Sequence, residues 1–228
     1  TPQRGVAADE VTGQIGLDKK QFLGQVAKIA KNNGEELQLY NIGDMMYREA
    51  PDVRPGRILD LPLARLNSLR RAVFRDVLAD MPNHKNVIVN THSTFRWKHG
   101  LFSAFDFDQL ALFDADLYVT LVDNIETVHQ RMLRDHDFEH NLKDLMVWRE
   151  EEILATEILA RSIRRMPANQ GGASDTGPQD AAKFFVLSRG RATPTAETLF
   201  RLIFRPNMKT VYLSFPMSHV MDLPNTLA

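Results

Sequence analysis

The stretch VTGQIGLDKKQFL, residues 11–23, predicts how this chain begins to fold. A short apolar segment runs into a glycine turn, which is followed by a lysine and a helical pattern. Glycines allow successive backbone N–H groups to curl around an anion, and a lysine at the start of the helix adds positive charge. Gly13, Gly16 and Lys19 lie at the positions that such a loop requires. The stretch therefore predicts a phosphate-binding loop between a strand and a helix.

The loop departs from the standard phosphate-binding pattern GxxxxGK[ST] at two positions. Asp18 stands where the pattern has its last glycine, and Lys20 stands where it has the hydroxyl residue that holds magnesium. The loop therefore gains a carboxylate near its anion site and lacks a magnesium ligand. Taken alone, the spacing also fits an ordinary connection between a strand and a helix, so the neighbouring segments must decide between the two.

The composition favours one αβ domain and excludes several kinds of site. A chain of 228 residues can bury one sizeable core, and a formal net charge of −1 gives no basic field for nucleic acid. The absence of cysteine excludes disulfides, thiolate metal sites and cysteine nucleophiles. No apolar run approaches the roughly 20 residues of a membrane span, and the first residues lack the apolar stretch of a signal peptide. We expect a soluble, cytoplasmic protein whose main partner is neither nucleic acid nor a membrane.

Strand and helix patterns alternate along the chain. The strand patterns are residues 6–11, 37–40, 86–89, 117–122 and 184–187, and the helical patterns are residues 19–33, 41–48, 63–81, 106–113, 124–134, 142–166 and 194–204. Such alternation predicts an α/β fold in which helices cover both faces of a parallel sheet. Asp9 and Glu10 are unusual in this scheme because central parallel strands are normally apolar.

Polar residues at the end of the third strand pattern indicate where a ligand binds. The strand ends in NTHST, residues 90–94, and ligands bind at the carboxyl ends of the strands in open parallel sheets. The long helical pattern that precedes this strand carries apolar residues on one face, and its arginines are interpreted as a solvated face. These are Arg65, Arg70, Arg71 and Arg75.

Several segments together resemble the archaeal-type adenylate kinases and related nucleoside monophosphate kinases. They are VTGQIG with Lys19, YNIGDMMYREA, the arginine-rich helix, NVIVNTHST, LFDADLYVTLVDNIETVHQRMLRD, and a closing strand and helix. They follow the order of the family, and NTHST is similar to the family's DTHST-like turn. The resemblance implies a P-loop NTPase-type parallel sheet and a purine nucleotide-binding kinase. Such an enzyme binds ATP on the loop and transfers a phosphoryl group to a monophosphate.

The resemblance implies roles for individual residues. The triphosphate loop would consist of Gly13, Gln14, Ile15, Gly16, Leu17, Asp18, Lys19 and Lys20. The monophosphate side would hold Gly43, Asp44 and Arg57, and the space between the nucleotides would hold Thr91, His92, Ser93, Thr94 and Arg96. Lys19 and the lid arginines Arg131 and Arg134 would stabilise the transferred charge, because a guanidinium binds phosphate oxygens bidentately.

Each of these roles has a plainer alternative. Arg131 and Arg134 lie three residues apart on a helix, which also suits a solvated ridge, and His92 also fits a structural hydrogen-bonding role. The histidines at 129, 136 and 140 lie near Asp135, Asp137 and Glu139, but their spacing matches no recognisable metal site, so none is predicted.

Magnesium binding is in question because three positions that serve the same metal ion in the family carry different residues here. These positions are Asp18, Lys20 and Asn90, and Asn90 stands where the family has an acidic residue.

Three hypotheses stay open: a phosphoryl-transfer enzyme, a non-catalytic nucleotide-sensing module, and a scaffold without a ligand. The resemblance covers a domain of residues 1–205, and residues 206–228 form a tail or the start of a second domain. It also makes self-association plausible, because archaeal-type adenylate kinases are oligomers.

Overall fold

The computed structural model describes residues 6–135, 140–163, 182–189 and 194–207. Its strands are β1 (Ala7–Thr12), β2 (Gln38–Asn41), β3 (Asn86–Asn90), β4 (Thr94–Trp97), β5 (Gly100–Ser103), β6 (Leu117–Val122) and β7 (Lys183–Ser188). Five of them form a parallel sheet in the order β2-β3-β1-β6-β7, with β1 at its centre. The remaining two, β4 and β5, form an antiparallel hairpin.

The helices flank this sheet. They are α1 (Lys19–Asn32), α2 (Ile42–Glu49), α3 (Leu63–Asp80), α4 (Phe107–Phe113), α5 (Ile125–Asp135), α6 (Leu142–Ser162) and α7 (Thr195–Phe204). Helix α1 packs against α7, α2 packs against α3, and α6 lies against β6, β7 and β4. The predicted α/β class with a helix-covered parallel sheet is confirmed. Within the described ranges, no helix combines the length and the apolar character that a membrane crossing needs.

The central strand β1 carries two buried carboxylic acids. Asp9 is 3% exposed and Glu10 is fully buried, beside Leu117 and Tyr118 of β6. Among the described residues, Asp9 Oδ2 and both carboxyl oxygens of Glu10 have no hydrogen-bond partner. Burial raises the pKa of Asp9 to about 7 and that of Glu10 to about 8, because the charged form is poorly solvated there.

The hairpin β4–β5 is the main element that the sequence patterns did not predict. Its strands are short and are joined by Lys98 and His99, with Gly100 at φ 83° closing the turn. The patterns otherwise agree with the structure to within a few residues. Helix α6 ends at Ser162 rather than at the predicted residue 166. The sequence also predicts a connection at residues 168–180 and a further strand, TVYLSF, at residues 210–215, and both segments lie outside the described residues.

Candidate active site

The predicted phosphate-binding loop joins β1 to α1 and has an unusual backbone. Gly13 has φ 134°, and a Cβ there would lie 2.6 Å from Leu17 Cδ1 and 2.7 Å from the Leu121 carbonyl oxygen. This position therefore accepts only glycine. Asp18 precedes α1 and has φ 49° and ψ 41°, the left-handed region that favours glycine and that aspartate tolerates. The pattern's missing glycine is thus replaced by a residue that can adopt the left-handed conformation.

Lys19 points into the interior, where it connects the loop to the turn after β3. Its Nζ donates to the Gly13 carbonyl at 2.6 Å and to the Thr91 carbonyl, and it lies 3.3 Å from His92 Nδ1. The residue is 7% exposed. Burial lowers the pKa of Lys19 to about 7, against the opposing effect of the buried Glu152 and Glu10 carboxyl groups. Lys19 is therefore a buried lysine that contacts the loop and the turn after β3.

Glu152 of α6 supports the loop from beneath and is fully buried. Its Oε1 accepts the backbone N–H groups of Gly13 at 2.9 Å and Ser93 at 2.8 Å. Its Oε2 accepts the Thr94 N–H at 2.7 Å and the Thr94 hydroxyl at 2.8 Å. Hydrogen bonds to a carboxylate are stronger than neutral ones, so this residue fixes two loops relative to one helix.

The same face of α6 makes further polar contacts with both loops. Thr156 lies one turn beyond Glu152, and its hydroxyl is 2.8 Å from the Thr12 hydroxyl and 2.7 Å from the Ser93 hydroxyl. Gln14 donates through Nε2 to the Leu145 carbonyl at 3.3 Å. Helix α6 therefore positions the loop after β1 and the turn after β3 as one unit.

Two cations around the loop are paired with carboxylates of the chain. Lys20 Nζ lies 2.6 Å from Asp44 Oδ2 and so connects the loop to α2. Arg131 of α5 contacts Asp18 at 3.2 Å through Nε and Asp123 at 3.0 Å through Nη1. Arg131 also donates to the Gly16 carbonyl. These pairs leave little uncompensated positive charge at the loop.

A cavity of about 300 Å³ opens beside the loop at the carboxyl edge of the sheet. The loop, α2, α3, the turn after β3 and the hairpin all contribute to its wall. The apolar part of the lining consists of Ile15, Leu17, Ile42, Met46, Tyr47, Ile58, Leu59, Phe95 and Trp97. Asn90 also lines the cavity and donates to the Asn41 amide oxygen at 2.8 Å. The cavity is therefore mostly apolar and adjoins the predicted phosphate site.

Arg70 lines this cavity, which corrects its interpretation as part of a solvated face. It is only 5% exposed, and its guanidinium lies 5.7 Å from the centre of the Phe95 ring. Nη1 makes long hydrogen bonds to Asn67 at 3.4 Å and to the Ser103 carbonyl at 3.5 Å, whereas Nη2 has no hydrogen-bond partner within the described chain. Burial lowers the pKa of Arg70 to about 10, so it stays charged at neutral pH.

The structure brings most of the predicted site residues together. Those that line the cavity are Gln14, Ile15, Gly16, Leu17, Asp18, Lys19, Lys20, Gly43, Asp44, Thr91 and His92. Gly13, Ser93 and Thr94 lie immediately beneath, where their backbone N–H groups bind Glu152. These residues therefore form one continuous structure around the loop.

All four predicted arginines lie apart from the cavity lining. Arg57 forms an ion pair with Asp60 at 3.2 Å, and Arg96 binds Glu151 through two nitrogens at 2.5 and 2.9 Å. Arg134 is 67% exposed in its side chain and pairs with its neighbour Asp135. Of the two predicted lid arginines, only Arg131 contacts the loop in this structure.

The sequence analysis assigned Arg70 to a solvated face, and it singled out neither Glu152 nor Thr156. All three are in phase with apolar positions of their helices. Glu152 and Thr156 follow Leu145 and Trp148 at helical spacing, and Arg70 falls between Leu66 and Val73. A charged residue in phase with a buried stripe was the signal that could have found them.

No group of three or more metal-binding side chains occurs among the residues that the structure describes. His136, Asp137 and Glu139 of the alternative metal cluster lie outside those residues. The resemblance implies magnesium at the loop, but the side chains there do not fit it. Lys20 brings an ammonium group that pairs with Asp44, and Asn90 offers an amide that already binds Asn41.

Comparison with known proteins agrees with this geometry. The sequence model of the AAA domain family matches residues 23–149, which is more than half of the chain. The chain belongs to this P-loop family. The match begins within α1, so the family is recognised from the segments beyond the unusual loop.

Solved kinases share the fold at low sequence identity. Shikimate kinase from Acinetobacter baumannii in complex with shikimate is 14% identical, with a TM-score of 0.54 over 90% of this chain and 96% of that chain. A gluconokinase from Sinorhizobium meliloti 1021 is 13% identical, with a TM-score of 0.45 over 90% and 98% of the two chains. The likeness in fold rests on the first of these. No curated protein matches the chain.

Proposed function

We propose that this chain is an adenylate kinase-like enzyme that transfers the terminal phosphoryl group of ATP to a purine nucleoside monophosphate. The observation that carries the proposal is a cavity lined on one side by the phosphate-binding loop and on the other by α2, α3 and the hairpin. A kinase needs such a second chamber so that the acceptor can meet the phosphate in line. Lys19 lines the cavity on the side of the loop.

The charges of the cavity favour a phosphate acceptor over a hydroxyl acceptor. A hydroxyl group needs a base that takes its proton, whereas a monophosphate oxygen is already ionised near neutral pH. The carboxylates among the described lining residues, Asp18 and Asp44, are paired with Arg131 and Lys20. Burial, Lys19 and Arg70 hold the pKa of His92 well below its usual range, which makes it a weak base. We therefore place this chain among the kinases whose acceptor is a phosphate group.

In the proposed reaction, the loop amides from Gln14 to Lys20 bind the triphosphate, and Lys19 contacts its outer phosphates. Arg131 and Arg134 stabilise the charge that develops on the transferred group. We derive no step through magnesium, because Lys20 and Asn90 do not fit that ion.

A non-catalytic nucleotide-sensing module is the second candidate. The Lys20–Asp44 ion pair and the Asn90–Asn41 hydrogen bond favour this candidate. Lys20 and Asn90 stand at positions where the family has residues that hold a metal, and here both side chains already have partners. Nucleotide binding can persist on backbone amides and cations, while the loss of metal contacts removes transition-state stabilisation. Such a module would regulate a further domain that begins after residue 205. In either case we propose a kinase-like domain of residues 1–205 and a cytoplasmic protein that self-associates.

The test is ADP formation from ATP and each nucleoside monophosphate, with and without magnesium, against Lys19→Ala as the blank. The enzyme hypothesis expects acceptor-dependent ADP formation that Lys19→Ala abolishes. The sensing hypothesis expects ATP binding that depends little on magnesium and no ADP. Restoring Asp18→Gly, Lys20→Thr and Asn90→Asp together should then make binding magnesium-dependent and raise transfer. The three substitutions are combined because the effects of residues that serve one metal ion are not additive.

A further inference from the structure

Two side chains of opposite charge join the phosphate-binding loop to the turn after β3. Lys19 Nζ donates to the Gly13 carbonyl at 2.6 Å and to the Thr91 carbonyl. Glu152 Oε1 accepts the N–H groups of Gly13 at 2.9 Å and Ser93 at 2.8 Å. The ammonium and the carboxylate therefore link the same two segments, one through carbonyl groups and the other through N–H groups.

The two links differ in their access to a ligand. Lys19 lines the cavity, so an anion there competes with the two carbonyls for its ammonium group. A hydrogen bond between two charged groups is stronger than one to a neutral carbonyl, so a phosphate wins this competition. Glu152 is fully buried outside the cavity lining, and as a carboxylate it offers a phosphate no donor. An anion can therefore break the Lys19 link but not the Glu152 link.

We propose that Glu152 is a positioning residue, which holds the turn after β3 at its distance from the loop while a bound phosphate draws Lys19 away from the turn. The inference rests on the proposed function and deepens it, because the phosphate is that of the nucleotide. Thr91 and His92 of the turn line the cavity beside the loop. The separation of loop and turn therefore sets the geometry in which two bound groups react, and a displacement of about 1 Å can cost a large part of the rate.

Trp148 makes the position of the turn measurable. It lies one helical turn before Glu152 on α6, is fully buried, and donates through Nε1 to the Thr94 carbonyl at 3.2 Å. The chain has two tryptophans, so the substitution Trp97→Phe leaves Trp148 as the single fluorescent indole. A turn that separates from α6 opens Trp148 to solvent, and acrylamide quenching of its fluorescence measures this local opening.

Four chains are compared in the Trp97→Phe background: the parent, Lys19→Ala, Glu152→Ala and the chain with both alanine substitutions. Inorganic tripolyphosphate is the ligand, because it carries the phosphates without a base that absorbs light. Glu150→Ala is the control on the same helix, since Glu150 is exposed. Glu152→Gln is the conservative variant, because its amide oxygen still accepts the two N–H groups that Oε1 accepts. Thermal melts confirm that each variant is folded.

Without ligand, we expect Trp148 to stay protected in each single variant, because the other link remains. The double variant should be quenched at least about twofold more than the parent, since the two links act in parallel and their losses are not additive. Tripolyphosphate should expose Trp148 in Glu152→Ala and leave the parent, Glu152→Gln and Glu150→Ala unchanged. A residue that only stabilised α6 would give no such dependence on the ligand.

Equal quenching of Glu152→Ala and the double variant without ligand would overturn the proposal, as would a double variant that stays protected. Protection of Trp148 in Glu152→Ala with tripolyphosphate would also overturn it, because Lys19 would then keep its link. If Glu152→Ala is unfolded, Glu152→Asp takes its place with the same outcomes, because its carboxylate reaches less far. The measurement needs no turnover, so a chain that meets every expectation but forms no ADP supports the positioning role and contradicts the enzyme.

Discussion

The carboxyl edge of the sheet has a loop side, which is the loop after β1 with its partners, and a cavity side, which α2, α3 and the hairpin form. The two sides differ in how their charged groups are paired. On the loop side, Lys20, Arg131 and Glu152 are each held by groups from the same chain. On the cavity side, Arg70 is buried, and its Nη2 has no hydrogen-bond partner among the residues described. The charged groups of the loop side are therefore paired within the chain, whereas the cavity side keeps one buried cationic donor without a partner among the described residues.

The difference indicates how each side would respond to a ligand. A triphosphate must compete with Asp18 and Asp44 for the cations at the loop, which lowers the net gain from binding. An anion that reaches Arg70 displaces no carboxylate, because none is paired with it in the described chain. The loop side is thus expected to be sensitive to mutations that disturb stability, and the cavity side to mutations that disturb acceptor binding.

The largest expected effect is that of Glu152→Ala on stability. The substitution leaves the N–H groups of Gly13, Ser93 and Thr94 buried without their acceptor. We expect the free energy of unfolding to fall by about 3 kcal/mol, since each unsatisfied buried group costs about 1 kcal/mol or more. Urea unfolding measures the change. Glu150→Ala on the same helix is the control, because Glu150 is exposed and its ion pair within the described ranges is with Arg149. A loss no greater than that of the control would show that the loop side is not held by Glu152.

The next effect concerns the pH dependence of stability, through Glu10. Burial raises the pKa of Glu10 to about 8, so the folded chain keeps a proton that the unfolded chain releases near pH 4.5. The stability that this proton provides is present in acid and is lost as the pH rises through about 8. Glu10→Gln should remove that loss and reduce the fall in unfolding free energy between about pH 6 and about pH 8 by about 2 kcal/mol.

Urea titrations at several pH values measure this dependence. Asp9, whose pKa is raised to about 7, remains in the variant and keeps part of the dependence. An identical pH profile in wild type and Glu10→Gln would mean that Glu10 is ionised in the folded chain.

Lys19→Ala tests whether the loop side binds nucleotide at all. The loop amides, the N-terminus of α1 and Lys19 meet at one point, so removal of the ammonium should weaken ATP binding by about tenfold or more. Calorimetric titration of ATP measures the effect, and a melt checks that the variant is folded. Lys31→Ala, at the other end of α1, is the charge-matched control. Unchanged ATP affinity in folded Lys19→Ala would refute the loop as the nucleotide site.

The smallest expected effect separates Arg131 from Arg134. Arg131 contacts the loop through Asp18 and Gly16, whereas Arg134 is exposed and pairs with Asp135. If the chain transfers phosphoryl groups, both alanine variants should lower the rate more than the ATP affinity, because lid cations bind the transition state better than the ground state. We expect a loss of severalfold in rate, larger for Arg131. Steady-state rates and ATP titrations on the same preparations measure it, and equal losses in rate and affinity would make both residues simple binding groups.

The sequence was informative where local chemistry dictates structure. Gly13 and Lys19 predicted the loop, because glycine allows a backbone conformation with positive φ and a lysine at the start of a helix adds positive charge. The alternation of strand and helix patterns predicted the sheet, since the period of apolar residues follows from the backbone geometry of each element. The NTHST turn was placed correctly at the carboxyl edge, where Thr91 and His92 line the cavity.

The sequence patterns could not predict which charged side chains pair with each other. Arg70 and Arg71 are adjacent and chemically identical, yet one lines the cavity and the other lies at the surface, because a helix turns about 100° per residue. Glu152 lies in a run of three glutamates, and residue type does not distinguish it from Glu150 and Glu151, which are less buried. Arg57 and Arg96 fitted their proposed roles in sequence but are bound to Asp60 and Glu151 in the fold.

By itself, the sequence determined the α/β class, the position of the glycine-containing loop between β1 and α1 and the absence of cysteine chemistry, because these depend on residue type and spacing along the chain. Only the tertiary structure decided which charges meet. Glu152 reaches Gly13 across 139 positions of sequence, and Lys19 reaches Thr91 across 72. Such contacts depend on the packing of α6 and β3 around β1, and the energy of a charge is set by the groups that this packing brings within a few ångströms of it.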